Sequence, residues 1–65
     1  MSYNLSIWCV DGDTIYGLIS NDKKKLLDYL IKYNHEGSSI NLKKEEGDRF
    51  INYENPEEIY KELSE

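Results

Sequence analysis

The sequence predicts an α+β domain of order ββαββα, with a four-stranded, mainly antiparallel sheet and two helices on one face. Three observations predict it. Alternating apolar residues flank Asp11-Gly12, a leucine-rich stripe at helical spacing follows, and the same hairpin-then-helix order recurs over residues 39–65. Helices gathered on one side of an antiparallel sheet are the simplest layered solution for such an order. The 65 residues hold a single small domain, 1–65, with no linker. A chain of this size buries only about 60% of the surface its unfolded form exposes, so its margin of stability is small.

Each element follows from its residues. In residues 3–10, Tyr3, Leu5, Ile7 and Cys9 fall on one side, and Trp8 and Val10 on the other. Asp11-Gly12 suits a two-residue hairpin turn, which needs positive φ. Closing the chain there pairs Ile7 with Tyr16 and Leu5 with Leu18 on one face, and Trp8 with Ile15 on the other. Residues 21–35 read as a helix, with Asn21 or Ser20 as N-cap, Asp22 at the positive helix start, and Gly37 beyond the end. Leu26, Leu27, Leu30 and Ile31 make its apolar stripe, and His35 sits in its last turn.

A second hairpin runs through Ser39–Lys44 and Arg49–Tyr53, with the turn expected around Glu46-Gly47. Ile40 and Leu42 then meet Tyr53 and Ile51 on one face, leaving Phe50 as the apolar member of the other. The last helix opens with Asn55 as cap, Pro56 at its first position and Glu58 three residues after Asn55. Ile59, Tyr60 and Leu63 supply its apolar stripe. Glu54, Glu57, Glu58, Glu62 and Glu65 form a carboxylate ridge, repeating at about 6 Å per four residues.

Charge narrows the functional classes. The net charge is −5, and all of it lies after residue 32, where nine carboxylates face Lys43, Lys44, Arg49 and Lys61. Direct binding to nucleic acid is disfavoured, because that affinity comes from Lys and Arg at phosphates. An anionic membrane is disfavoured for the same reason, and no run approaches the ~20 apolar residues of a span. No secretory leader pattern opens the chain. One cysteine excludes an intramolecular disulfide framework and suits a cytoplasmic setting.

The sharpest local string is Cys9-Val10-Asp11-Gly12-Asp13-Thr14-Ile15. Its Asp-Gly-Asp-Thr core resembles a stretch of the staphylococcal nuclease family, in which an aspartate of that turn holds calcium. The resemblance implies Asp13 as the ligand. It stops at these residues: the family's barrel and its two catalytic arginines have no counterpart, since Arg49 is the sole arginine. Asp-Gly here suits a tight turn with Asp13 on its rim. His35-Glu36 offers no zinc spacing, Cys9 on the helix-facing side reads as a buried structural thiol that would need a nearby base and orienting partner to be a nucleophile, and Gly37-Ser38-Ser39 sits at a helix exit that presents carbonyls. Neither enzymatic activity, a cofactor nor a metal is expected.

Two surfaces remain as expected binding sites. Two short helices cannot cover both faces of the first hairpin, which leaves Trp8, Val10 and Ile15 outward, joined by Tyr16 and Phe50. The carboxylates Glu54, Glu58 and Glu62 suit a partner protein with a basic surface. The expected function is therefore a small, acidic, non-enzymatic interaction protein: an inhibitor or modulator of a basic partner, resembling nucleic-acid mimics of phage or mobile-element type. Docking or homodimer formation is expected through the Trp8 face. Two alternatives are a dimer sequestering a nucleotide or similar small molecule between Trp8 and Tyr16, and an antitoxin or immunity protein.

Overall fold

A computed structural model of the chain describes residues 1–9 and 12–65. Val10 and Asp11 lie outside the described residues, and with them one expected member of the outward patch and half of the first turn. The elements are β1 (Ser2–Cys9), β2 (Thr14–Ser20), α1 (Lys23–Tyr33), β3 (Ser38–Glu46), β4 (Arg49–Tyr53) and α2 (Pro56–Ser64). The four strands form one antiparallel sheet of order β2-β1-β3-β4. The N-terminal strand is thus central, and the β2–α1–β3 connection passes over it. Neither helix is long and apolar enough to cross a membrane.

β1 and β2 pair in the expected register, with Ile7 opposite Tyr16, Leu5 opposite Leu18 and Trp8 opposite Ile15. The second hairpin is shifted by two residues. Its turn is Gly47-Asp48, so Leu42 faces Tyr53 and Lys44 faces Ile51. Gly47 has φ +64 while Asp48 keeps negative φ. A glycine first and an ordinary residue second is the pattern of a type II′ turn, whose twist matches the flanking strands. Because the shift is an even number, every side chain keeps its expected face.

The helix layer covers the face carrying Tyr3, Leu5, Ile7, Cys9, Ile40 and Leu42. These residues are buried together with Leu26 and Leu30 of α1 and Ile59 and Leu63 of α2. Leu27 packs at the margin, whereas Ile31, expected in the same stripe, is exposed. The flank of α1 toward β2 is closed by tyrosines instead: Tyr16 stacks on Tyr33 at 4.4 Å between centroids, and Tyr29 tilts against Tyr33 at 4.6 Å.

Capping explains where the helices begin. Asp22, rather than Asn21 or Ser20, caps α1, its Oδ1 accepting from the Lys24 and Lys25 amides at 3.0 and 3.3 Å. Ser20 acts one step earlier, its Oγ accepting from the Asp22 amide at 3.0 Å. Asp22→Ala is expected to lower stability by about 1 kcal/mol, read as a shift in the urea midpoint with an unchanged slope. Asn55 caps α2 as anticipated, accepting from the Glu57 amide at 2.9 Å with Pro56 at the first position. α1 ends at Tyr33, so His35 lies beyond the helix; Gly37, at φ +89, turns the chain toward β3.

Candidate functional site: an open sheet face and an acidic helix

The uncovered face of the sheet is built by strand alternation. β1 places Ser2, Asn4, Ser6 and Trp8 there, β2 places Ile15, Gly17 and Ile19, and β3 and β4 add Ser39, Asn41, Lys43, Glu45, Phe50 and Asn52. Trp8 is 45% exposed, and Ile15 and Ile19 are each 72% exposed. The expected outward pair of Trp8 and Ile15 is therefore present. Ile19 was missed, although its even spacing from Ile15 along β2 marks the same face.

Two expected members of the patch stand elsewhere. Tyr16 has the opposite parity and turns to the helix layer, where it stacks on Tyr33. Trp8 and Tyr16 of one protomer consequently lie on opposite faces of the sheet and cannot clamp one aromatic ligand between them. Phe50 does share the open face, but at its far end. It pairs with Glu45, whereas Trp8 pairs with Ser39, about 20 Å away along β3. Its ring lies 5.6 Å from Lys43 Nζ instead.

The carboxylate ridge divides in two. Glu54, Glu57, Glu58 and Glu65 are exposed, and among the described residues none of them joins an ion pair. Glu54 accepts only from Asn52 Nδ2, at 3.3 Å. Glu62 turns inward. Its Oε2 accepts from Tyr3 Oη at 2.6 Å and Lys44 Nζ at 3.3 Å, with Lys23 Nζ at 3.6 Å, while Oε1 accepts from Tyr53 Oη at 3.3 Å. The expected carboxylate row thus loses Glu62, and Lys61 is exposed beside the gap.

Geometry fixes the electrostatics of this cluster. The Tyr3 hydrogen bond, reinforced by the Lys44 bond and the Lys44 and Lys23 charges, holds Glu62 below its ordinary range against the opposing effect of burial. Burial, then the Glu62 carboxylate, pushes the Tyr3 phenol upward. Burial first and Glu62 second do the same to Tyr53. The Glu62 hydrogen bond raises Lys44. These groups hold one another in a fixed pattern of one carboxylate, neutral phenols and ammonium groups, which suits a structural anchor.

A third cluster joins residues distant in sequence. Cys9 is buried on the helix-facing side, as expected, and His35 Nε2 lies 3.2 Å from its Sγ. His35 Nδ1 is 2.8 Å from the Glu36 carbonyl oxygen. A carbonyl only accepts, so Nδ1 donates to it, and Nε2 shares the remaining hydrogen bond with the Cys9 sulfur. Ser38 Oγ accepts from the His35 amide at 3.2 Å and sits 3.8 Å from the sulfur. The cluster ties the α1–β3 connector to the end of β1. Sequence spacing could not announce it, because His35 lies 26 residues from Cys9. Among the described residues, no group of three or more His, Cys, Asp or Glu side chains is placed to hold a metal ion.

No family model, no curated protein and no solved structure matches this chain.

Proposed function

We propose that the protein is a non-enzymatic interaction module that binds a partner protein of basic surface, acting as its inhibitor or modulator. The observation that carries this reading is the division of charge across the helix layer. α2 and its approach present Glu54, Glu57, Glu58 and Glu65 against Lys61, while α1 alongside presents Lys24, Lys25 and Lys32 against Asp28. Charges of one sign gathered on one side steer an oppositely charged partner and fix its orientation. Glu46 lies close enough to Tyr3 and Lys44 to act on both, which extends the acidic zone toward the β3–β4 turn. Complementary charge supports this reading; regular phosphate-like spacing does not, because Glu62 is withdrawn from the row.

The test is a charge-reversal series with poly-L-lysine as the basic probe. Glu57→Lys with Glu58→Lys is expected to weaken binding at least about tenfold at low salt. Lys24→Glu with Lys25→Glu on α1 should leave it unchanged or strengthen it. Affinity should also fall as ionic strength rises from about 50 to about 300 mM, as the screening length shortens. Glu62 is unsuited to this series, since its reversal would disturb the fold. Equal binding by wild type and the Glu57/Glu58 variant removes the charge mechanism.

A further inference from the structure

We propose that two copies of the chain associate edge to edge through β2, in antiparallel register centred on Gly17. β2 is an outer strand of the sheet, seven residues long, without a charge or a proline. Natural edges are usually blunted by one of these devices, and the other edge, β4, has only five residues and carries Arg49. Read outward from Gly17, β2 nearly repeats itself in reverse: Tyr16 answers Leu18, Ile15 answers Ile19, and Thr14 answers Ser20. A two-fold axis at Gly17 therefore sets each residue against one of its own kind. That self-complementarity names a second copy as the occupant.

The backbone is poised for this pairing. The Gly17 carbonyl accepts from Tyr29 Oη at 3.3 Å. A Cβ built on Gly17 would meet the Leu5 carbonyl oxygen at 3.8 Å. Both place Gly17 between the hydrogen-bonded positions of the β1–β2 ladder, so its own amide and carbonyl point outward, as do those of Ile15 and Ile19. In the Gly17-centred register these residues offer about six inter-chain hydrogen bonds. Tyr29 occupies one lone pair of the Gly17 carbonyl and leaves the other.

The open face gains as well. Ile15 comes to lie beside Ile19 of the second copy, which extends the Trp8–Ile15 row across the axis and covers isoleucines that are 72% exposed in the protomer. The helix side opposes the pairing. Lys25 and Lys32 flank Tyr29 on the α1 stripe next to this edge and would meet their counterparts across the axis. A contact confined to one seven-residue edge strand is small beside the ~1,200 Å² of a standard interface. The association is consequently weak and is strengthened by salt, opposite in sign to the binding of a basic partner and independent of it.

Sedimentation velocity from about 10 µM to about 1 mM tests the proposal. The mass should rise from monomer toward dimer, and the rise should shift to lower protein concentration when salt is added. Ile15→Lys with Ile19→Lys should stay monomeric while unfolding within about 0.5 kcal/mol of wild type, because both side chains are exposed. Register is tested by mild oxidation: Gly17→Cys should yield a disulfide-linked dimer, since residue 17 meets itself at the axis. Ile19→Cys should not, because its counterpart lies about 13 Å away along the strand. A monomer at 1 mM, a dimer undiminished by the double lysine variant, or equal crosslinking at both positions would overturn it.

Discussion

Glu62→Ala is expected to destabilise the fold by about 2–4 kcal/mol. The carboxylate joins Tyr3 of β1, Lys44 of β3, Tyr53 at the end of β4 and Lys23 of α1 to α2. Its removal leaves the Tyr3 hydroxyl, on a side chain 1% exposed, without its acceptor. A buried donor left unpaired costs more than the bond it made, because water cannot replace the partner. Glu62→Gln keeps the shape and loses the charge, so it should fall between wild type and alanine. Urea unfolding followed by Trp8 fluorescence reads all three.

The same cluster shapes the pH dependence of stability. Glu62 is held below its ordinary value of 4.5 in the folded state. Its contribution is therefore complete above that pH and is lost as pH falls through the folded value. Tyr3 and Tyr53 are raised above 10.0 when folded. Their contributions hold below pH 10 and are lost as pH rises beyond it, where the unfolded chain ionises first. The contribution of this cluster should thus be level between these limits and decline on both sides. The acid decline should be shallower in Glu62→Gln.

Leu42→Ala carries the second large effect, about 2–5 kcal/mol. Leu42 is fully buried where β3 meets both neighbours, opposite Leu5 on one side and Tyr53 on the other, beneath the helices. A chain of 65 residues has a total stability of only ~3–10 kcal/mol. The substitution is expected to leave a substantial unfolded population at 37 °C, visible as lost amide dispersion in NMR spectra. Ile19→Ala removes a comparable side chain from the open face and should cost under about 0.5 kcal/mol. The contrast between the two separates the covered face from the uncovered one.

Much of this architecture is legible in the residues themselves. Alternation about Asp11-Gly12 specifies the first hairpin and its register, and Asn55-Pro56 marks the start of α2. The second hairpin shows the limit of pattern. Turns at Glu46-Gly47 and Gly47-Asp48 both put Ile40, Leu42, Ile51 and Tyr53 on one face, so hydrophobicity cannot choose between them. The turn chooses, through Gly47 as its first central residue. Ile31 misleads because a leucine-rich stripe looks continuous in sequence, while tyrosines take one of its flanks in space.

The sites divide in the same way. Trp8 and Ile15 are outward by parity alone, and Tyr16 is inward by the same parity. Glu62 and His35 depend on partners far along the chain and have no local signature. A glutamate at helical spacing from Glu58 reads as solvated until the tyrosines and lysines of four other elements are placed around it.

Acrylamide quenching of Trp8, the single indole of the chain, reads whether two helices shield one side of the sheet and leave the other bare. At a few micromolar, the native quenching constant should reach roughly half that of the urea-unfolded chain, in keeping with a side chain 45% exposed. A native constant near zero, with blue-shifted emission from a monomer, would mean that the indole is enclosed and that the bare face does not exist.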